Sequence, residues 1–338
     1  MLSRATSAPA QGVGSVYLEM MSLMEKYGKG DFEIYLNRHS SKMDLYHVHS
    51  INPTFYFMMK KKRTTICFVH FMPDTLEGSI RLPKLIFRLF RKYVVSFYKK
   101  AKEIVVVNPS FKKELVQYGL KEERISYIPN FVSSSQFYPM EQDRKKELRK
   151  EYGIPDDAFV ILGVGQVQTR KGVLDFIRMS EENPDKYFIW AGGFSFKNIT
   201  DGYSQLKTEM DKKRKNLKFL GIVDRDRMNE VYNLADVFVL PSYSELFPMA
   251  LLEAGSSSVP YIVRDLQEYR PILPGDYNRA KTVEEFNVLL MKLKDNEAFY
   301  RKSVELSLEL SKKYNEEAVY QMWKDYYWKI YEKYNQNT

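Results

Sequence analysis

Two glutamates, Glu245 and Glu253, stand with seven residues between them in the run Pro241-Ser-Tyr-Ser-Glu-Leu-Phe-Pro-Met-Ala-Leu-Leu-Glu-Ala-Gly-Ser-Ser-Ser-Val-Pro260. An apolar strand-like stretch, Asp236-Val-Phe-Val-Leu240, leads into it. A helix beginning near Pro248, whose fixed φ and missing N–H suit a first turn, puts Glu253 about one turn in and leaves Glu245 in the loop before it. Both carboxylates then face the crevice at a strand's C-terminal end, where open α/β sheets bind ligands and where the helix N-terminus at Phe247, Pro248 and Met249 favours a phosphate. Carboxylates repel phosphate but accept hydrogen bonds from sugar hydroxyls. A ligand carrying both groups satisfies the whole stretch. The plainer alternative is a surface helix with two solvated acids.

A second stretch offers complementary charge. Phe159-Val-Ile-Leu-Gly-Val-Gly-Gln-Val-Gln-Thr-Arg-Lys-Gly-Val-Leu-Asp175 reads as strand, glycine turn, basic pair and helix. A turn containing Gly163, Gly165 and Gly172 beside Arg170 and Lys171 can bring N–H groups and an ammonium to a diphosphate. Lys171 is the expected diphosphate ligand, against a surface turn with two solvated cations.

The elements that must position these residues follow an α/β pattern. Strand-like runs at Phe32 to Tyr35, Leu45 to His49, Thr64 to Val69 and Ile104 to Val107 alternate with helical or loop segments, as in a parallel sheet. Further strands are expected at Ile189-Trp-Ala, Phe219-Leu-Gly-Ile-Val and Tyr261-Ile-Val-Arg-Asp265, with a capped helix from Thr282 and a closing aromatic helix from Asn315 to about Tyr334. Gly12 and Gly14 precede a helix expected over Ser15 to Tyr27, as in a strand-to-helix turn that lets a ligand approach the backbone. A plain tight turn fits equally. Only Met1-Leu-Ser-Arg stands where a first strand belongs, so that strand is very short or the true start lies upstream. His47, His49 and His70 fall at or just past strand ends. For His47 and His49 the expectation is strand histidines satisfied by their neighbours.

Charge is uneven along the 338 residues. Residues 1–140 carry 21 Lys+Arg against 11 Asp+Glu, and the remainder 31 against 32, so the net charge of +9 belongs to the N-terminal half. Much of it lies in two places, Met58-Met-Lys-Lys-Lys-Arg63 and Leu82 to Lys102. In the second, Leu82, Leu85, Ile86, Leu89, Phe90, Tyr93 and Phe97 recur at helical spacing between Lys84, Arg88, Arg91, Lys92, Lys99, Lys100 and Lys102, without an acid. Such a helix suits an anionic lipid surface, or a core-facing helix with a basic outer side. The charge asymmetry favours the membrane. Apolar residues at 44% and charged ones at 28% fit two ordinary globular domains. The single cysteine, Cys67, excludes an internal disulfide, and four histidines without a second cysteine argue against zinc. No stretch approaches the ~20 apolar residues of a membrane span. A cytoplasmic protein without a signal peptide is expected.

The stretch from Pro241 to Pro260 resembles the signature of the retaining family 4 glycosyltransferases, and Gly165 to Gly172 resembles that family's glycine and basic element, with Gln166 where arginine is common. Arg170 is expected to compensate for that lost charge. The resemblance implies an α/β GT-B fold, two Rossmann-like domains facing across a cleft. The domains are expected at 1–140, for acceptor and membrane, and 141–315, for the nucleotide-sugar, with 316–338 as a helix crossing back to the first. The passage Arg124-Ile-Ser-Tyr-Ile-Pro-Asn130 matches the family's exit from the first domain, with Phe131 in place of glycine.

By this resemblance Gly165, Gln166, Arg170, Lys171, Phe247, Pro248, Met249 and Glu253 bind the donor. Glu253 would accept from the ribose hydroxyls, Glu245 from the hexose, and His70 would approach the donor sugar near the reacting centre. Gly12 and Gly14 would touch the acceptor or the donor phosphates. No metal or other cofactor is implied. Gly-Gln-Val-Gln-Thr-Arg-Lys-Gly, Trp-Ala-Gly-Gly-Phe-Ser-Phe and Glu-Leu-Phe-Pro-Met look like bacterial enzymes that add a second hexose, from UDP-glucose or UDP-galactose, in α-1,2 linkage to glucosyl-diacylglycerol. Lys84, Arg88, Arg91 and Lys92 would then hold the enzyme to the inner face of the cell membrane. Ser258 and the loop Leu266 to Tyr269 depart from the family's glycines near the donor, so glucose and galactose both stay open. The alternatives are a transferase acting on a soluble or undecaprenyl-linked glycan and, on charge alone, a nucleic-acid-binding protein, although no docking motif supports a nucleic-acid partner.

Overall fold

The computed structural model describes residues 1–4, 12–38, 40, 42–59, 63–70, 72, 84–194 and 201–335, with the side chains of 12, 13, 15, 84 and 335 left aside. The chain forms two compact units. The first comprises Met1–Glu77, Leu82–Phe131 and Glu316–Thr338, and the second is built on Val132–Asn315.

In the first unit, strands β1 (Leu45–Val48), β2 (Thr64–Val69), β3 (Glu103–Val106) and β4 (Ile125–Tyr127) pair in that order, all parallel. Every residue of β2 is buried, as a parallel strand covered on both faces requires. At the β1 edge Leu2 adds a single parallel bridge to Val48. The strand expected over Phe32 to Tyr35 does not form. The backbone there pairs instead with residue 1: the N-terminal ammonium donates to the Tyr35 carbonyl at 2.9 Å, and Asn37 N donates to the Met1 carbonyl at 2.9 Å.

Helix α1 (Gly12–Tyr27) starts three residues earlier than the sequence suggests. Gly12 and Gly14 therefore belong to its first turn rather than to a loop before it, and Gln11 lies outside the described residues. Helices α2 (Pro53–Met58), α3 (Lys84–Lys100) and α4 (Phe111–Gln117) follow.

The second unit begins at Val132, not near residue 140. Phe137 is buried, and the backbone N–H groups of Tyr138 and Met140 donate to Asn229 Oδ1 at 3.1 Å and Asn233 Oδ1 at 2.8 Å, which ties this segment to the second unit. Helix α5 (Gln142–Glu151) leads to β5 (Val160–Val164), α6 (Val173–Glu182), β6 (Tyr187–Ala191), α7 (Tyr203–Asp211) and β7 (Leu217–Gly221). Then come α8 (Met228–Asn233), β8 (Val237–Leu240), α9 (Met249–Ser256), β9 (Tyr261–Arg264), β10 (Arg279–Ala280), α10 (Val283–Asp295) and α11 (Glu297–Lys313). The six strands are parallel in the order β10-β9-β8-β5-β6-β7.

From β5 the chain winds outward through β6 and β7, then returns to β8 on the other side of β5 and winds away. That reversal is the topological switch point of a doubly wound sheet, and open α/β sheets bind ligands in the crevice beyond the strands' carboxyl ends at such a point. Gly163 sits within β5 rather than in the turn after it. A Cβ there would come 2.5 Å from the Trp190 ring, which fills the core beside Phe176 and Phe188. Finally α12 (Glu316–Asn335) rejoins the first unit, where Trp323, Tyr327 and Ile330 are buried.

Candidate active site

The loops leaving β5 and β8 are knitted together at the switch point. Gly172 adopts φ +71°, and a Cβ on it would meet the Pro241 carbonyl oxygen at 2.2 Å, so only glycine lets the two loops approach this closely. Tyr243 N donates to the Arg170 carbonyl at 2.8 Å, and the Arg170 guanidinium donates to the Ser244 carbonyl. Lys171 Nζ ion-pairs with Glu245 Oε1, while Arg170 Nη1 lies 3.9 Å from Glu245 Oε2. Glu245 is 8% exposed. Burial pushes its carboxyl upward, but the two cations outweigh that and hold it below the usual carboxylate range. Burial in turn lowers the Lys171 ammonium, and Glu245 opposes the shift. A buried carboxylate and two cations thus share one small volume, where the sequence reading had given Lys171 to a diphosphate and Glu245 to sugar hydroxyls without pairing them.

Three residues that the sequence reading did not assign hold this loop from beneath. Arg264 Nε donates to the Pro241 carbonyl at 2.8 Å, its guanidinium lies 4.0 Å from the centre of the Tyr243 ring, and it pairs with Asp175. Tyr243 OH also donates to Asp175 Oδ2 at 2.7 Å. The one available signal was Arg264 itself, a charge closing the apolar strand run Tyr261-Ile-Val.

Pro248 occupies the N-cap position of α9, with φ −74° and ψ 115°, one residue before the first helical position expected for it. Met249 opens the helix; Leu251 N donates to the Pro248 carbonyl at 3.2 Å, while the N–H groups of Met249 and Ala250, at the first two helical positions, have no carbonyl one turn back within the helix. Phe247 is buried with its ring edge-on to Tyr314, 5.0 Å between centroids, which fixes the loop's approach to the helix. Gly165 opens the turn that leaves β5, and Gln166 accepts from Gln168 Nε2 at 2.7 Å. Glu253, one turn into α9, has its own set of partners. Tyr232 OH donates to it at 2.6 Å, and Arg225, itself 4.7 Å from the Phe137 ring, pairs with its other oxygen. Arg225 and Tyr232 went unassigned because no residue type in the turn Arg225–Arg227 or in α8 ties them to Glu253, more than twenty residues on.

His70 and the two glycines belong to the first unit. His49 and His70 stand immediately after β1 and β2, and His47 lies inside β1. His47 Nδ1 is 2.6 Å from Tyr327 OH, and His49 Nδ1 is 3.3 Å from His70 Nε2. The expectation that neighbours satisfy His47 and His49 holds for one nitrogen of each ring. Their Nε2 atoms are buried without a hydrogen-bond partner. Burial lowers all three imidazoles, His70 to about 3, so the cluster is neutral.

Helix α3 divides along its length. Val94, Phe97 and Tyr98 are buried, whereas Leu85, Ile86 and Leu89 are 69%, 50% and 60% exposed beside the exposed Arg88 and Lys92. The C-terminal half is a core-facing helix and the N-terminal half presents apolar and cationic side chains together. Arg91 contacts Tyr118, 5.3 Å from its ring centre. The side chain of Lys84, Lys60 to Lys62 and Leu82 lie outside the described residues. Among the described residues no helix is long and apolar enough to cross a membrane, and no group of three His, Cys, Asp or Glu could hold a metal ion.

Comparison with known proteins agrees with this geometry. Residues 19–136 match the family described as Glycosyltransferase Family 4, and residues 144–306 match that described as Glycosyl transferases group 1. Alpha-galactosylglucosyldiacylglycerol synthase of Streptococcus pneumoniae is 42% identical over 330 residues, 97% of this chain and 88% of that protein. Processive diacylglycerol alpha-glucosyltransferase of Acholeplasma laidlawii is 24% identical over 259 residues, 76% of this chain and 75% of that one. Among solved structures, Anabaena HepE in complex with UDP and glucose has a TM-score of 0.75 over 96% of this chain and 97% of its own, at 12% identity, a likeness of fold.

Proposed function

The chain belongs to the family 4 glycosyltransferases, with the GT-B fold, and from that premise we propose that it transfers glucose or galactose from a UDP-sugar to glucosyl-diacylglycerol. The transfer retains anomeric configuration, forms an α-1,2 linkage, needs no metal, and takes place on the anionic inner face of the cell membrane. The observation that carries the reading is the Lys171, Arg170 and Glu245 cluster at the switch point of the second unit.

The barrier to such a transfer lies in moving negative charge onto the departing diphosphate, so fixed cations and N–H dipoles aimed there supply most of the stabilisation. Lys171, Arg170 and the first turn of α9 are those groups. Glu245 accepts from hydroxyls of the hexose, and its pairing with Lys171 keeps both in place before the donor arrives. Glu253, oriented by Tyr232 and Arg225, accepts from the ribose hydroxyls. His70, whose imidazole is lowered to about 3 by desolvation and so stays neutral, is the sugar contact that the family resemblance implies. Retention is the family's stereochemistry. The identity of 42% to a diacylglycerol glycolipid synthase supports the acceptor, and the exposed Leu85, Ile86 and Leu89 beside Arg88 and Lys92 support the membrane surface.

The test is incubation of the pure protein with labelled UDP-glucose or UDP-galactose over vesicles of glucosyl-diacylglycerol, with and without anionic lipid. Labelled diglycosyl-diacylglycerol formed from one donor, faster with anionic lipid, is the expected result. Transfer to a soluble or undecaprenyl-linked glycan and none to the vesicles would overturn the acceptor.

A further inference from the structure

The buried histidines of the first unit contain a group that the reaction as described leaves without a task. His47 and His49 are 1% and 2% exposed, and their rings lie 4.1 Å apart. His49 is further enclosed by Tyr17 edge-on at 5.2 Å and by Phe68 at 5.7 Å. Tyr327 OH holds the far side of the stack through His47 Nδ1 at 2.6 Å. Only His70, partly exposed, ends the row, with its Nε2 3.3 Å from His49 Nδ1.

That contact joins two ring nitrogens, so one of them carries the proton. A neutral imidazole has a single N–H. If His70 Nε2–H donated, His49 would have to keep its own proton on Nε2, which is buried without a partner. A buried N–H without an acceptor is rarer in proteins than an unused acceptor. The proton on His49 therefore sits at Nδ1 and is given to His70 Nε2.

We propose that His49 is a positioning residue: its Nδ1–H fixes His70 in the tautomer that bears the proton on Nδ1, so that His70 offers a hydrogen-bond donor to an oxygen of the hexose. The nitrogen that a histidine protonates is set by the bond its other nitrogen makes. No covalent step is involved; His49 acts only through the ring beside it. The inference rests on the reading of His70 as a contact to the donor sugar, but its central claim concerns the free protein.

The experiment is nitrogen-15 NMR of the histidine rings in the full chain without ligand. The protein has four histidines, and comparison with His70→Gln assigns the signal. The expected spectrum shows His70 protonated at Nδ1. In His49→Phe, which removes the donor, the proton should redistribute toward Nε2, and in His49→Asn, whose amide N–H reaches the same place, it should stay on Nδ1. Protonation of His70 at Nε2 in the parent, or the same His70 spectrum in His49→Phe as in the parent, overturns the proposal. In the transfer assay His49→Phe should lower kcat about tenfold with KM for the UDP-sugar within about twofold, and His49→Asn should recover most of the loss. If the protein transfers no hexose at all, the activity reading fails while the tautomer still decides the role of His49.

Discussion

The sites of the two units are built in opposite ways. In the second unit every charge of the cluster already has a partner: Lys171 and Arg170 face Glu245, Arg225 faces Glu253, and Arg264 faces Asp175. In the first unit, ring nitrogens of His47 and His49 are buried without partners, and Leu85, Ile86 and Leu89 stand exposed. On the proposed function the contrast separates two tasks. Binding a phosphorylated donor needs charges held in fixed positions before it arrives, whereas meeting a lipid needs apolar surface that the protein leaves uncovered. A site whose charges are already paired loses function when one partner is removed; an uncovered surface loses function when its character is reversed.

The largest effect is expected at Glu245. Glu245→Ala removes the acceptor for the hexose hydroxyls and frees Lys171, so transfer should fall by about a thousandfold or more, while affinity for UDP, measured by calorimetry, holds or tightens. Comparable turnover in the variant would mean that Glu245 serves only as the counter-ion of Lys171. The complementary change, Lys171→Ala, should weaken UDP binding by about a hundredfold, because a desolvated ammonium near the diphosphate is lost and Glu245 remains to repel it.

On the first unit, the comparison sharpens through vesicle flotation. Each cation near an anionic surface contributes about 1 kcal/mol. Reversing Arg88, Arg91 and Lys92 to glutamate should weaken binding to anionic vesicles by at least about a hundredfold and leave UDP affinity in the second unit unchanged. Unaltered flotation would return this half of α3 to an ordinary solvated helix.

Legibility in the sequence follows the same division. Strand, turn and helix follow one another directly from Asp236 to Pro260 and again from Phe159 to Asp175, so the residue types alone placed Glu245, Glu253 and Lys171 on loop and helix. The pairing of Lys171 with Glu245 spans 74 residues and has no local signal: it arises because both loops leave neighbouring strands of one sheet, an order that the sequence does not spell out. The unit boundary was missed for a similar reason. The segment Tyr138 to Met140 resembles a linker, yet it is held by Asn229 and Asn233 about ninety residues on, and such side-chain contacts leave no local pattern. The false strand at Phe32 to Tyr35 has the right residue types, but its backbone partners are Met1 and its neighbours. Helix α3 supported two readings because its periodicity continues unchanged from the exposed half to the buried one; only packing partners distinguish Leu85 from Phe97.

The smallest effect tests the histidine stack as a burden on stability. A group whose folded pKa is depressed loses stability as the pH falls from its unfolded value toward its folded one. For His70 that window runs from 6.5 down to about 3, and the buried His47 and His49 share its upper end. Above about pH 7 none of the three affects stability through protonation, since both states are neutral there. By about pH 5.5 each should have cost about 1 kcal/mol, because the unfolded chain has taken up the proton and the folded chain has not. Denaturant midpoints should therefore fall more steeply for the parent than for His49→Phe as the pH drops from about 7 to about 5.5, even if the variant starts lower. Parallel curves would mean that His49 takes up a proton while folded, and the stack could then no longer be described as three neutral rings.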